Sequence, residues 1–236
     1  MAEAVERIRI RLRDGPPGYV VTLNAVMLGR AAKDEDFRRV VDGAALVTPD
    51  GMGTLLAARV LGRRIPERVA GVDLTDYLCA MCARHGFRVF FFGASPGVAD
   101  EAARCLMARH PGLIVAGTQH GYDTMDEPAL ADRIRQTGAH LLLVALGSPR
   151  QEMWLRRWLD RTGVRAGIGI GGTLDVFAGR ARLAPSWMRG LGIEWLYRLL
   201  REPRRWRTAI ALPGVIWMAL AERLRKKGES RPSDGY

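Results

Sequence analysis

The sequence predicts an α/β protein: one mainly parallel sheet with helices on both faces, followed by a basic helical appendage. Three observations lead there. Short continuous apolar runs rich in Val, Ile, Leu and Phe recur through the first three quarters of the chain, and strands covered on both faces read this way. Stretches of helical period separate those runs, and such alternation builds parallel sheets. After Gly179 the composition changes: from Arg180 to Lys227, twelve basic residues stand against Glu194, Glu202 and Glu222.

Taken in order, residues 1–18 alternate charged and apolar positions, with Ile8, Ile10 and Leu12 set among Arg7, Arg9, Arg11 and Arg13. That pattern predicts a solvent-facing edge strand ended by Gly15-Pro16-Pro17-Gly18. A strand at 19–23 and a helix at 25–41 follow. The apolar run 44–47 is a further strand, and Pro49 and Gly51 break it before a helix at 52–61. A basic turn through Arg63, Arg64 and Arg68 then leads to a helix at 74–85. From there the rhythm is regular: strand 88–92 and helix 98–109, strand 113–117 and helix 127–137, strand 140–146 and helix 151–161, and a last strand at 166–170. Residues 19–179 thus form a Rossmann-like core. Each strand-to-helix turn carries Gly, Ser or Asp, and all of them line one rim, where open α/β sheets bind their ligands.

A formal charge of +11 on 236 residues suits phosphate-bearing ligands, nucleic acid or an anionic membrane surface. The excess is concentrated at 180–227, where Trp187, Trp195, Trp206 and Trp217 are interleaved with it. Residues 209–221 are apolar but interrupted by Pro213-Gly214, and they fall short of the ~20 residues that span a bilayer. Basic residues and tryptophans around a short apolar stretch describe a helix lying in a membrane interface, with a basic helical face packed on the sheet, or a subunit contact, as the alternatives. Residues 228–236 read as a disordered tail. A nucleic-acid-binding protein would spread its charge along a groove with stacking platforms, and no such module is present. Cys79, Cys82 and Cys105 do not make a disulfide framework and suit a reducing cytoplasm. Cys79 and Cys82 lack a second pair to complete a zinc site and read as helix packing. The charged amino end predicts no secretory signal.

Several catalytic motifs are absent. There is no phosphate-binding loop with its Gly-Lys-Ser/Thr ending, the dinucleotide fingerprint is only a fragment at Gly51 and Gly53, and no nucleophile elbow occurs. Asp34-Glu35-Asp36 matches a metal-holding pattern of many sugar transferases but falls on a charged helix face, away from any strand end. What remains on the rim is polar: Thr22, Asn24, Asp50, Arg68, Asp73, Tyr122, Gln151 with Glu152, and Asp175. Arginines would neutralise a departing diphosphate, and a carboxylate could take a hydroxyl proton. Asp50, just past a strand, is the first candidate. Its rival reading is a cap on the helix that follows.

Thr22-Leu23-Asn24, Thr48-Pro49-Asp50-Gly51, Arg68-Val69-Ala70-Gly71-Val72-Asp73, Phe92-Gly93-Ala94, Pro149-Arg150-Gln151-Glu152, Gly171-Gly172-Thr173-Leu174-Asp175 and Arg182-Leu183-Ala184-Pro185 occur in that order, followed by a segment from Gly192 to Arg205. The series resembles the WecG/TagA/CpsF family of bacterial glycosyltransferases over residues 20–207. The resemblance implies inverting transfer of an N-acetylmannosamine-type sugar, its uronic acid or glucose from a UDP-sugar to a polyprenyl-diphosphate-linked acceptor. It implies no metal or other cofactor, no nucleic-acid partner, a location on the inner face of the cell membrane, and a capacity to self-associate.

By that resemblance Asp50 is the general base. Thr22, Asn24 and Gln151 position sugar and acceptor, while Arg68 and Asp73 shape the pocket. Gly93, Ala94, Tyr122, Gly171, Gly172 and Asp175 belong to the UDP site. Arg198 and Arg205 of the appendage approach the diphosphate. The chain has Thr208 near the expected place of a further arginine, with Arg201 and Arg207 close by in sequence. A non-catalytic nucleotide-sugar-binding or scaffold subunit is the other reading of the same residues.

Overall fold

The computed structural model describes residues 1–122, 126–185, 187–188, 194, 196–197 and 206–229, with the side chains of 206–212 and 226–229 left aside. Six strands, β1 (Gly18–Leu23), β2 (Leu46–Pro49), β3 (Arg88–Gly93), β4 (Ile114–Gln119), β5 (Leu141–Ala145) and β6 (Ala166–Gly169), form one sheet in the order β2-β1-β6-β5-β3-β4. Every pairing is parallel. Around them lie α1 (Ala2–Asp14), α2 (Ala25–Ala31), α3 (Glu35–Asp42), α4 (Met52–Val60), α5 (Gly71–His85), α6 (Val98–Arg109), α7 (Glu127–Gln136), α8 (Arg150–Thr162), α9 (Thr173–Phe177) and α10 (Trp206–Glu229).

Strand alternation divides the core in two. Val20, Val89, Phe91, Leu141, Leu143, Ala166 and Ile168 pack with residues of α1, α5, α6 and α9. Their neighbours Tyr19, Val21, Leu23, Phe90, Phe92, Leu142 and Val144 pack with α3, α7 and α8. Successive side chains of a strand point to opposite faces, so an uninterrupted apolar run serves both layers at once.

The first segment departs from expectation: residues 2–14 are a helix, not an edge strand. Ala4, Ile8 and Leu12 recur every four residues and are buried, while Ile10 is 46% exposed. The alternation of Ile8, Ile10 and Leu12 was compatible with both periods. Tertiary structure decides: β1, the next strand in the chain, already has β2 on one side and β6 on the other, so the segment cannot pair beside it and packs as a helix against the core. Burying Ile8 and Leu12 against the sheet contributes ~1.5–3 kcal/mol each. The sheet's edges are β2 and β4 instead, and both are less buried than the strands between them.

The single helix expected at 25–41 is two. Asp34 ends the first by starting the second, its Oδ1 accepting from Phe37 N–H at 3.0 Å. Asp34-Glu35-Asp36 is therefore a helix start, still solvent-facing and paired with Arg30, Arg38 and Arg39. Helix α5 begins at Gly71, three residues before the expected position.

Small residues on β6 let α8 approach closely. A Cβ at Gly167 would overlap Leu155 and lie 2.6 Å from Leu159 Cδ1. Gly169 faces Gln151 and Glu152 in the same way. Beyond the core, α10 lies on α2 and α4 through Val215 and Ala219, which meet Ala57, Ala25, Leu28 and Val60. Arg223 Nη1 donates to Val60 O at the end of α4. The 209–221 stretch is thus part of a 24-residue helix with Pro213 inside it, and no helix among the described residues is long and apolar enough to cross a membrane. Of the expected tail at 228–236, residues 228–229 complete α10 and the rest lies outside the described residues.

Candidate active site

The carboxyl ends of β1 and β2 lie side by side, Leu23 opposite Pro49, and Asp50 N–H donates to Leu23 O at 2.9 Å. The Asp50 side chain emerges just beyond. Its Oδ1 accepts from Gly71 N–H at 2.7 Å, the first residue of α5, where the N-cap residue Ala70 supplies no side-chain acceptor. Asp50 does cap a helix, but a different one from that foreseen. The helix directly after it, α4, starts at Gly51 without a side-chain cap. A carboxylate offers about four acceptor positions, so one bond to a helix start orients it without exhausting it. The positive end of α5 favours its charge.

Beside Asp50 opens a cavity of about 330 Å³, within the range of small-molecule sites. The start of α5 supplies Gly71 and Asp73, with Arg68 just before it. The end of β6 and the start of α9 supply Ile170, Gly172, Thr173 and Asp175. Arg180, Arg182 and Glu194 close the remaining side. Arg68 Nη1 donates to Glu194 Oε2 at 2.8 Å, both side chains mostly buried, and this pair ties the turn before α5 to the chain beyond residue 180. A wall holding both carboxylates and guanidinium groups suits a ligand that carries anionic phosphate and sugar hydroxyls together.

Of the residues named from sequence, Asp50, Arg68, Asp73, Gly172 and Asp175 line this cavity together. Thr22, Asn24 and Gln151 are not on its wall. Thr22 is buried and donates from Oγ1 to Gly169 O at 2.8 Å, tying β1 to β6. Asn24 caps α2, accepting from Val26 and Met27 N–H. Gln151 is buried under β6 and accepts from Gly171 N–H at 2.9 Å. Thr22 and Gln151 thereby hold the end of β6 and the glycine turn after it, which lead into the cavity's Ile170, Gly172 and Thr173.

Gly93 and Ala94 lie elsewhere on the rim, at the ends of β3 and β5. Here the chain leaves β3 outward to β4 and leaves β5 the other way to β6, the switch point at which such sheets take ligands. Gly93 has φ +118°, and a Cβ there would lie 2.5 Å from the Ala145 carbonyl carbon. Ala94, at φ +57°, donates to Ala145 O and accepts from Gly121 N–H. Tyr122 follows directly, 74% exposed. Arg198 and Arg205 lie outside the described residues, as do Arg201 and the side chain of Arg207.

Arg180, Arg182, Thr173 and Glu194 were not singled out in the sequence as pocket residues. The basic run after Gly179 was the available signal, although it reads there as an appendage. Cys79 and Cys82 are buried, and burial pushes both thiols up, Cys82 to about 12, so neither is a thiolate at neutral pH. Among the described residues no three His, Cys, Asp or Glu side chains are grouped to hold a metal ion.

The Glycosyl transferase WecG/TagA/CpsF family model matches residues 1–229. The chain belongs to that family. Among this member's curated relatives is an N-acetylglucosaminyldiphosphoundecaprenol N-acetyl-beta-D-mannosaminyltransferase of Bacillus subtilis, 31% identical over 208 residues, which are 88% of this chain and 81% of the relative. A Bacillus spizizenii protein of the same name is 32% identical over 202 residues, 86% of this chain and 78% of the relative.

Proposed function

We propose that this family member transfers a sugar, with inversion, from a UDP-sugar to a polyprenyl-diphosphate-linked saccharide in bacterial cell-surface polysaccharide biosynthesis. The relatives' names favour N-acetylmannosamine as the sugar and an N-acetylglucosaminyl-diphosphate lipid as acceptor, over the uronic acid or glucose. The observation that carries the reading is the Asp50 carboxylate, oriented by Gly71 N–H at the mouth of a cavity walled by Arg68, Asp73, Asp175, Arg180 and Arg182.

Asp50 removes the proton from the attacking acceptor hydroxyl. That oxygen bonds to the anomeric carbon as the bond from carbon to the UDP oxygen breaks, and UDP leaves with the bonding pair. Guanidinium groups stabilise the charge on the leaving diphosphate, Arg180 and Arg182 from the wall and Arg198 and Arg205 from the following segment. Tyr122, Gly93, Ala94 and Asp175 hold the nucleotide. No metal takes part, so activity withstands chelation by EDTA. The decisive test is a panel of radiolabelled UDP-sugars with a purified N-acetylglucosaminyl-diphosphate lipid. Transfer of N-acetylmannosamine alone supports the reading, and no transfer from any donor overturns it.

The acceptor's lipid puts the enzyme at the inner face of the cell membrane. Helix α10 supports this: Val215 and Ala219 face α2 and α4, while Trp217, at 71% exposed, Leu220 and Leu224 face outward beside Arg223 and Arg225. An apolar stripe with tryptophan and flanking arginines suits an anionic interface. In flotation with anionic liposomes, replacing Trp217 and Leu224 by Asp should abolish binding. If the double variant instead floats normally and turns monomeric, the stripe is a subunit contact.

A further inference from the structure

Glu152 lies in the first turn of α8 with no exposed surface. Its Oε1 accepts from Gln151 Nε2 at 2.6 Å, and Oε2 has no hydrogen-bond partner among the described residues. On its other side the Gln151 amide presents Oε1 to Gly171 N–H at 2.9 Å. The site is built for this pair: a Cβ on Gly169 would lie 2.6 Å from Gln151 Nε2 and 2.9 Å from Glu152 Oε1. A chain of hydrogen bonds thus runs from a buried carboxyl, through one amide, to the glycine turn that opens α9.

A glutamine amide has nearly the same shape in either orientation, so its partners alone decide which end is oxygen. Flipped, Gln151 would set its NH₂ against Gly171 N–H, donor against donor. An acceptor opposite the nitrogen removes that alternative. We propose that Glu152 is a positioning residue, fixing the sense of the Gln151 amide so that its oxygen holds the Gly171–Gly172 turn and thereby sets Thr173 and Asp175 on the cavity wall. Gln151, foreseen as a substrate contact, then acts from beneath the site. Burial pushes the Glu152 carboxyl above its ordinary range, while the Gln151 hydrogen bond draws it partly back. Oε1 accepts in either protonation state, so the positioning role does not itself switch with pH.

The consequence for ligand binding rests on the proposed transfer from a UDP-sugar, whereas the geometry of the turn does not. Two readouts keep them apart: amide hydrogen exchange at Gly171 by ¹⁵N NMR, and donor KM and kcat with UDP-N-acetylmannosamine and the lipid acceptor. Glu152→Met keeps volume and removes the acceptor. It should speed Gly171 exchange at least about tenfold, leave the β5 amides unchanged, and raise donor KM about tenfold with kcat little altered, the scale of one buried hydrogen bond. Glu152→Gln, whose amide oxygen can replace Oε1, should restore both to within about twofold. Unchanged Gly171 exchange in folded Glu152→Met, or a Glu152→Gln as impaired as it, overturns the proposal. If Glu152→Met does not fold, the wild-type protein still decides: Gln151 side-chain amide protons that exchange like solvent-exposed ones overturn it, and protected ones support it. If wild-type protein transfers no sugar yet Gly171 responds as expected, the proposed function falls and the positioning role stands.

Discussion

At the β1–β2 end of the sheet the ligand rim is made of side chains, whereas over β3, β4 and β5 it is made of backbone. Asp50, Asp73, Asp175 and Arg68 surround a cavity at the first. At the second, Gly93 and Ala94 fold tightly over Ala145 with positive φ, and Gly121 donates back to Ala94. The proton transfer proposed for Asp50 needs a titratable group held in place by something rigid, and the start of α5 holds its carboxylate. Bringing a nucleotide close needs backbone stripped of side-chain bulk. The difference teaches that the two ends should fail differently, one in turnover and the other in folding.

The sharpest break is Asp50→Asn. It keeps an oxygen for Gly71 N–H but removes the base, and turnover should fall about 10²–10⁴-fold with the melting temperature nearly unchanged. Near-normal turnover in that variant, measured with purified acceptor, would refute the base assignment. Unfolding instead would mean that the cap on α5 is the residue's whole role.

Gly93→Ala tests the other end. Its Cβ would strike the Ala145 backbone at a φ that L-residues avoid, so chemical denaturation should show a loss of about 3 kcal/mol. Stability within experimental error of wild type would show that this turn can relax. Ala94→Gly should do the reverse. It relieves a left-handed alanine (~1–2 kcal/mol) at the entropic cost of glycine (~0.5–1 kcal/mol), a net gain of ~0–1.5 kcal/mol.

The smallest effect is a trend with pH. Glu152 has its folded-state carboxyl pushed up by burial. Its stabilising contribution is therefore fully present below the unfolded-state value, ~4.3, and is lost as pH rises through the raised one. Glu152→Gln carries no such loss. Its urea midpoint should gain on wild type as pH rises from ~4.3 through the raised folded-state value and level off above it, and a gap that is constant from pH 4 upward would show that the carboxyl is not perturbed.

The strands were legible because each is a continuous apolar run, which sheet burial on two faces demands whatever the surroundings. The gathering of Asp50, Arg68, Asp73 and Asp175 on one cavity was legible in part, because each stands in a turn at a strand's carboxyl end or a helix start, and parallel connections bring such turns to one rim. Residues 2–14 were misread because Ile8 and Leu12 satisfy two periods at once, and the choice depended on whether a strand edge was available. The break at Asp34 was a cap signal lost among neighbouring charges. Gln151 was given its substrate role by the family resemblance, and its burial against Gly169 of β6 and its hydrogen bond to Gly171 N–H follow from packing that no local pattern carries.

The sequence by itself determined the sheet, the order of its turns and the concentration of positive charge near the carboxyl end, since all of these follow from local periodicity and composition. Tertiary structure alone decided what Asp50 holds. Its partner is Gly71, twenty-one residues on, a helix start delivered by packing α5 on the sheet. Hydrogen bonds of that kind join donors and acceptors that no local pattern links, so they exist only once the core has formed.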